Sequence, residues 1–434
     1  MRFSCFCALL FVLSLLASAE DLVYAPEPVD NPLSGLVPYV GADGHSQFPQ
    51  SMEFRYYALN QLMTGWDQYD WSAIEKTFQE TGQRGNQLVI RVFLEYPGKK
   101  LSLPQFLVDE GVKVIDWQSP DGRCLTPDYE SVTLRKAMKQ FIAAFGKKYD
   151  GDPRLGFITA GMLGMWGEWH SYPRTDLHPS KTTQRIVMDA FSDAFQKTHV
   201  LLRYPAGENN YHYAPNHDLP FGYHDDSFAW STLDTDNEGK SWFYMAALKQ
   251  SGPQAQSRWR TRAIGGELRP ELWGASFTAT PHPKQQDFAE CVRQTHVSWL
   301  MDSGLFTASK PLSTDRVRRA KEAVRLMGYE LYVSKAELLN GKLSLTIENR
   351  GVAPFYYDWP VEVRYSAPNI RTQPLFPNWK LSEVMPGQSV TWQTKLGVSK
   401  GVKVRIRVAN PMPGGKPLRF ANAEMNGQWL ELSF

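Results

Sequence analysis

Short apolar runs alternate with amphipathic stretches through the first three quarters of the chain. The runs at residues 54–58, 87–93 and 155–160 are rich in β-branched and aromatic residues, which predicts buried strands. Between them, apolar residues recur three and four positions apart, most clearly over residues 131–149, which predicts helices. Strands alternating with helices indicate a parallel sheet, and about eight such units predict a (β/α)8 barrel.

The pattern changes near Tyr329. From there, short alternating strands are separated by turn signals such as Pro386-Gly387, which predicts an all-β sandwich. We therefore expect a barrel over residues 20–328, with an irregular lead-in to about residue 50 and a possible short strand at 112–117. A doubly wound sheet is the alternative to the barrel, but no G-x-G-x-x-G follows a predicted strand.

The first residues have the pattern of a secretory signal peptide. Arg2 precedes an apolar stretch, and the small residues Ala17-Ser18-Ala19 follow it, which predicts cleavage after Ala19. The apolar stretch, of about 14 residues, is too short to span a bilayer comfortably. We expect residues 1–19 to be removed and the protein to be secreted or periplasmic, with no membrane span.

Charge and cysteine content exclude several classes of protein. The net charge is +2, and the charged residues are scattered, so no basic surface for nucleic acid is expected. Cys5 and Cys7 lie in the predicted signal peptide. Cys124 and Cys291 remain, and the sequence leaves open whether they pair or stay as thiols. The sequence does not indicate an oligomeric state.

Two glutamates stand at the ends of strand-like runs. Glu168 follows the run at 155–160, and Glu267 ends the stretch that begins at Ala263. By our count these are the fourth and seventh strands, and catalytic groups of such barrels lie at the carboxyl ends of strands. Cleavage of a glycosidic bond requires two carboxyl groups, so Glu168 and Glu267 are the candidate catalytic residues.

Their neighbours suggest different roles. Trp166 and Trp169 make the surroundings of Glu168 apolar, which raises a carboxyl pKa and suits an acid/base. Flanking arginines such as Arg269 favour an ionised Glu267, which suits a nucleophile. The alternatives are a buried ion pair of Glu168 with an arginine, and a surface pair of Glu267 with Arg269.

Other polar and aromatic residues near predicted strand ends are candidates for substrate binding, with structural ion pairs or turn caps as the alternative for the charged ones. They are Arg91, Trp166, Trp169, His170, Arg203, Tyr204, Asp225 and Trp299. The histidines form no H-E-x-x-H motif, so no metal site and no cofactor are expected. A serine esterase is not expected either, because G-x-S-x-G is missing.

Longer motifs carry a family resemblance. Gly164-Met165-Trp166-Gly167-Glu168-Trp169-His170, Gly265-Gly266-Glu267-Leu268-Arg269-Pro270 and Asn349-Arg350-Gly351-Val352-Ala353-Pro354 resemble an uncharacterised bacterial barrel family, a domain of unknown function with G-x-W-G-E-W-H and G-G-E-x-x-P. That family is grouped with glycoside-hydrolase barrels. The resemblance spans most of the chain after the predicted signal peptide and implies a barrel followed by a β-domain.

More distantly, Tyr69-Asp70-Trp71 and Pro104-Gln105-Phe106-Leu107 are similar to β-galactosidase-type retaining enzymes of clan A. That resemblance implies that the glutamate after strand four is the acid/base and the one after strand seven the nucleophile. The chain departs from clan A at Gly167, where those enzymes have asparagine.

The sequence thus predicts a secreted glycoside hydrolase that cleaves an oligo- or polysaccharide by a retaining mechanism. The alternative is a non-catalytic carbohydrate-binding protein on a decayed barrel. The aromatic residues of the β-domain, such as Phe355 and Trp359, are expected either to pack against the barrel or to form a glycan-attachment platform.

Overall fold

The computed structural model describes residues 18–235, 240–367, 370–371, 374–398 and 401–434. Most of the predicted signal peptide, residues 1–17, lies outside the described residues. The first described strand, Ser18–Asp21, spans the predicted cleavage point.

Eight parallel strands form the barrel, each hydrogen-bonded to the next. They are β1 (Gly35–Val37), β2 (Met52–Ala58), β3 (Gln87–Phe93), β4 (Leu155–Thr159), β5 (Val200–Leu202), β6 (Gly222–Phe228), β7 (Ile264–Leu268) and β8 (Trp299–Met301). The chain just after β1 closes the ring against β2, because Phe54 N donates to Pro38 O at 2.8 Å and Val40 N donates to Phe54 O at 2.9 Å.

The strands at the fourth and seventh positions are those expected, but two others differ. β1 lies in the segment predicted to be irregular. The sequence gives no sign of this strand, because it has only three residues and Pro38 follows it. The possible strand at 112–117 is instead one arm of an antiparallel hairpin, Val114–Ser119 with Gly122–Pro127, outside the barrel. The missed strand and the extra strand offset each other, so the count to Glu168 and Glu267 was unchanged.

Helices follow six of the eight strands. They are α1 (Leu59–Leu62), α2 (Ser72–Gly82), α3 (Gln105–Asp109), α4 (Val132–Tyr149), α5 (Lys181–Ala194), α6 (Tyr244–Gln250), α7 (Pro253–Gln256), α8 (Phe288–Thr295) and α9 (Thr314–Val324). α4 shows how the pattern works, since Ser131 Oγ caps its first turn and Leu134, Phe141 and Phe145 are buried. Residues 203–221, between β5 and β6, contain no α-helix.

The C-terminal part forms two antiparallel sheets. Its strands are β9 (Leu331–Leu339), β10 (Lys342–Asn349), β11 (Val361–Ala367), β12 (Ile370–Arg371), β13 (Ser389–Lys395), β14 (Lys403–Val408), β15 (Met425–Asn426) and β16 (Trp429–Ser433). In the first sheet the strand Ser18–Asp21 lies at one edge, next to β9, and β10 and β13 follow in that order. The second sheet has the order β12-β11-β14-β16-β15. Inward residues of both sheets share one core, as the predicted sandwich requires.

The sandwich packs against the end of the barrel where the strands begin. Tyr357 Oη donates to Gly156 O at 2.7 Å and accepts from His199 N at 3.2 Å, next to the starts of β4 and β5. Tyr356 Oη donates to Trp259 O at 2.7 Å. Phe355 and Trp359 are buried, so these rings form a packed interface and not an exposed platform.

Cys124 and Cys291 are both buried free thiols, the first on the hairpin and the second on α8. Among the described residues, no helix combines the length and apolar character that crossing a bilayer would need.

Candidate active site

The loop after β4 carries Glu168 on an unusual backbone. Five of its residues have positive φ, a conformation that is uncommon outside glycine: Met162, Gly164, Trp166, Gly167 and Trp169. Gly161 is required by space, since a Cβ there would lie 1.9 Å from Val92 O. Gly167 has φ +70°, which explains why glycine stands beside Glu168. Backbone conformations of this kind concentrate at functional sites.

Trp169 stabilises this loop through hydrogen bonds from its side chain to the loop backbone. Its indole Nε1 donates to Ala160 O at 2.7 Å and to Gly161 O at 3.1 Å, and the side chain is buried. We expected Trp169 to contact substrate, but its ring packs under the loop and its one donor is used by the backbone.

Two arginines hold the Glu168 carboxyl group. Arg203 Nη1 donates to Oε2, and Arg91 Nη1 lies 3.3 Å from Oε1. His170 Nε2 lies 3.6 Å from Oε2. Burial alone would raise the pKa of Glu168, but Arg203, together with His170 and Arg91, keeps this pKa below its ordinary value. Glu168 is therefore an ionised carboxylate.

Arg91 connects β3 to β6 through the barrel interior. Its side chain is fully buried, and it donates to Thr159 Oγ1 at 2.8 Å, Tyr56 Oη at 3.1 Å and Asp226 Oδ2 at 3.0 Å. Asp226 also contacts His224 Nδ1 at 2.8 Å. A buried guanidinium is stable only when its charge is compensated, and Asp226 and Glu168 provide this.

Asp226, and not Asp225, belongs to the site. Successive residues of a strand face opposite sides, so His224 and Asp226 point inward on β6 and Asp225 points toward the helices. Asp225 accepts hydrogen bonds from Thr232 Oγ1 at 2.6 Å and Ser227 N at 2.9 Å. Its predicted role in substrate binding does not agree with this position. The alternation of β6 was the signal that could have identified Asp226.

Glu267 lies on the inner face of β7, two residues after Gly265, and its residue exposure is only 6%. Within the described part of the chain, no group donates a hydrogen bond to its carboxyl or forms an ion pair with it. Arg269, its expected neighbour, pairs with Glu271 at 2.7 Å. Burial, Asp226 and Glu168 raise the pKa of Glu267 well above its ordinary value, which outweighs the opposite effect of Arg91 and Arg203. The protonated form of Glu267 is therefore favoured far more than in an ordinary glutamate.

The directions of these two pKa shifts are the reverse of those expected from the flanking residues. The tryptophans beside Glu168 in sequence do not determine its pKa, because arginines from β3 and the end of β5 reach it. Glu267 lacks the cation that its sequence neighbours suggested. The pKa values of the two carboxyl groups are thus displaced in opposite directions, that of Glu168 downward and that of Glu267 upward.

An aromatic wall, of which the sequence predicted only Trp166, lines the site from β1 to β4. Tyr39 stacks on Tyr56 with ring centroids 6.2 Å apart, Tyr96 meets Tyr56 edge-on at 5.9 Å, and Trp166 meets Tyr96 at 6.2 Å. All four rings are partly exposed. Burial raises the pKa of Tyr39, and so do the charges of Glu267 and Glu168 and the neighbouring Tyr96.

The remaining predicted residues divide into two groups. Tyr204 lies at the site, with Arg203 Cζ 5.1 Å from its ring centroid and Tyr213 stacked on it at 4.5 Å. Trp299 does not, since it is fully buried at the start of β8, where it stacks on Phe157 at 5.8 Å. The structure thus gathers Arg91, Trp166, His170, Arg203 and Tyr204 on the side of the site where Glu168 lies, but not Trp169, Asp225 or Trp299.

Across the described ranges, no group of three or more His, Cys, Asp or Glu side chains has the geometry to hold a metal ion.

No protein-family model matches the sequence, and no curated protein is significantly similar to it. Among solved structures, the catalytic domain of a β-amylase from Paenibacillus polymyxa is similar, with 9% identity, a TM-score of 0.45 and coverage of 68% of this chain and 98% of that one.

Endo-glycoceramidase II from Rhodococcus sp. has 12% identity, a TM-score of 0.42 and coverage of 87% and 100%. A family 39 glycoside hydrolase from Bacteroides cellulosilyticus has 11% identity, a TM-score of 0.41 and coverage of 79% and 77%.

Proposed function

We propose that the protein is a retaining glycoside hydrolase in which Glu267 is the acid/base and Glu168 the nucleophile. The observation that carries the proposal is the pair of buried carboxyl groups at the carboxyl ends of β4 and β7, whose pKa values are displaced in opposite directions, so that an ionised Glu168 and a protonated Glu267 are favoured. Glycosidic cleavage requires this combination at the start of the reaction.

In the first step, the Glu267 O–H protonates the glycosidic oxygen while a Glu168 carboxylate oxygen attacks the anomeric carbon. The bond to the leaving alcohol breaks, and a glycosyl ester of Glu168 forms. In the second step, the Glu267 carboxylate removes a proton from water as the water attacks the anomeric carbon. Glu168 leaves as a carboxylate, and Glu267 is protonated again.

The surrounding residues support both steps. Arg203 and Arg91 keep Glu168 ionised and oriented, although part of this contact has to loosen as the ester forms. The partly exposed rings Trp166 and Tyr96 offer apolar faces on which a sugar ring can lie. The negative charge of Asp226 disfavours another negative charge nearby, and so it favours the protonated form of Glu267 that the acid needs.

Replacement of each glutamate tests the proposal. Glu168→Gln and Glu267→Gln are each expected to lower hydrolysis of aryl glycosides at least a hundredfold. Glu271→Gln is the control, because this exposed glutamate follows β7 but pairs with Arg269. Unchanged turnover in both active-site variants would contradict the proposal. ¹H NMR of the first product should show retention of the anomeric configuration.

Leaving-group dependence separates the two roles. Glu267→Ala should keep much more of its activity on dinitrophenyl glycosides, whose leaving group needs no proton, than on alkyl glycosides. Glu168→Ala should lose activity on both substrates alike, and added azide should restore turnover and yield a glycosyl azide of inverted configuration. The opposite pattern would restore the roles expected from clan A.

A second candidate is a carbohydrate-binding protein without turnover. It is favoured by one observation: both carboxylate oxygens of Glu168 already face arginines, as in a structural ion pair. Calorimetric titration with oligosaccharides that shows binding, together with no product after long incubation, would support this candidate. Any turnover lost in Glu267→Gln would exclude it.

We also propose that the protein acts outside the cytoplasm, since residues 1–19 have the pattern of a signal peptide. N-terminal sequencing of the exported protein should then begin at Glu20. A mature chain that retains Met1 would contradict this proposal.

A further inference from the structure

The loop that carries Glu168 runs beside an extension of β3. Met162 N donates to Val92 O at 2.7 Å, and Trp166 N donates to Glu95 O at 3.1 Å. The amide between them, Gly164 N, donates to Tyr129 Oη at 2.9 Å. Three alternate residues of the loop, all with positive φ, therefore have their amides hydrogen-bonded. The outer two amides donate to main-chain oxygens of β3 and its extension, and the middle one donates to the Tyr129 side chain.

Tyr129 is part of a buried network that ends at Glu95. Tyr129 Oη donates to Glu95 Oε1 at 3.1 Å, and Thr126 Oγ1 donates to Oε2. Trp117 Nε1 donates to Thr126 Oγ1 at 2.9 Å. Each hydroxyl thus accepts a hydrogen bond from an N–H and donates one to the carboxylate. Glu95 is 1% exposed, so no solvent could replace these contacts.

We propose that Glu95 is a positioning residue for Glu168, acting through Tyr129 on the amide of Gly164. Its main-chain oxygen holds Trp166, and its carboxylate fixes the hydroxyl that holds Gly164. Glu168 follows two residues after Trp166, so the direction of its side chain depends on this support. Only the kinetic consequence rests on the proposed function, because the loop geometry can be measured without a substrate.

The network requires a group that accepts on both oxygens. Glutamine at position 95 would have one acceptor oxygen where glutamate has two. Either the Tyr129 or the Thr126 hydroxyl would then face an NH₂ group, and one buried donor would have no acceptor. Protonation of Glu95 would have a similar effect. Burial raises the pKa of Glu95 to about 7, against the opposing effect of its bonds from Thr126 and Tyr129.

The other titratable groups facing Glu95 are the Tyr129 hydroxyl and the Cys124 thiol on the hairpin. Burial raises the pKa of both, so they stay protonated near neutral pH. As the pH rises through 7, the network should therefore gain its ionised acceptor, and the loop should become better protected.

Hydrogen exchange of the segment 160–171, followed by mass spectrometry, tests the inference. After correction for intrinsic rates, this segment should exchange at least fivefold faster in Glu95→Gln and Tyr129→Phe than in the wild type. Tyr149→Phe is the matched control, since Tyr149 is a buried tyrosine that donates to Glu75 at 3.0 Å, away from this loop. Its exchange in this segment should match the wild type.

Thr126→Val, which removes the second donor to Glu95, provides a milder variant if the others fail to fold. In the wild type, protection of the segment should increase from pH 6 to pH 8, and Glu95→Gln should lack this change. Wild-type exchange in Glu95→Gln and Tyr129→Phe would overturn the inference, as would equal acceleration in Tyr149→Phe.

Kinetics give the second measurement. In Glu95→Gln, kcat on aryl glycosides should fall at least tenfold, by a larger factor than any rise in KM, because the nucleophile is displaced with the loop that carries it. A raised KM with unchanged kcat would contradict positioning. If the wild type hydrolyses no glycoside, the proposed function fails, and the exchange result still decides the role of Glu95.

Discussion

Arg91 on β3 and Asp226 on β6 meet inside the barrel, with Arg91 Nη2 3.0 Å from Asp226 Oδ2. The two strands are separated by β4 and β5 in the sheet, so this pair bridges the barrel and does not join adjacent strands. Both side chains are buried, and both affect the charge on Glu168 and Glu267. The pair therefore links the stability of the barrel to the protonation of its candidate catalytic groups.

Loss of one partner of this pair should be strongly destabilising. Asp226→Asn leaves Arg91 with less compensation in a place that water does not reach, which should lower the free energy of unfolding by about 3–5 kcal/mol. Urea denaturation would measure the change. Arg318→Lys, in an exposed pair on α9, is the control and should leave the midpoint unchanged. Equal midpoints for all three proteins would show that the Arg91–Asp226 bridge is not formed.

Asp226 should also set the alkaline limit of activity. In the proposed mechanism Glu267 works in its protonated form, and its pKa is raised by burial, then by Asp226 and Glu168. The wild-type kcat/KM should therefore fall as pH rises through this raised pKa. In Asp226→Asn one negative charge is gone, the pKa of Glu267 drops, and the alkaline limb should move to lower pH. A limb that moves upward or stays would remove Glu267 from the role of acid.

His199 should make the interface between barrel and sandwich sensitive to acid. Burial lowers its pKa to about 3, while an unfolded chain protonates histidine near its ordinary value. The unfolded state thus binds the extra proton below about pH 6.5, and stability falls by about 1.4 kcal/mol for each further pH unit. His199→Asn keeps an acceptor for Ala263 N but does not titrate. Denaturation between pH 7 and 4 should show a steeper loss in the wild type, and parallel curves would contradict the assignment.

Two tryptophans should respond in opposite ways. Trp299→Ala removes a fully buried ring and should destabilise the protein by about 3–5 kcal/mol, without weakening saccharide binding to the folded fraction. Trp166→Ala removes a partly exposed ring at the site and should raise KM with little effect on thermal stability. Melting curves and KM values for both variants check this. A raised KM in Trp299→Ala would place Trp299 back at the site.

The sequence predicted the strands whose apolar character is concentrated, such as β3 and β4, because buried parallel strands require it. β1 was missed because three residues are too few to show a period. Whether Asp225 or Asp226 enters the site depends on which of them lies on the inward face of β6. Because the two acids are adjacent and the whole strand is buried, the sequence does not show which one this is. The charge states of Glu168 and Glu267 depend on partners from other strands, and neighbouring residues in sequence give no measure of them.

Tyr357 connects the barrel and the sandwich, which are consecutive segments of the sequence. Its hydroxyl bonds to Gly156 and His199, and the apolar core of the sandwich continues into the start of the barrel through Phe157 and Trp299. Neither part can lose its order without exposing the other's apolar surface to water. The two should therefore melt cooperatively, as a single calorimetric transition, and an isolated barrel would have to be redesigned at its base before it could exist alone.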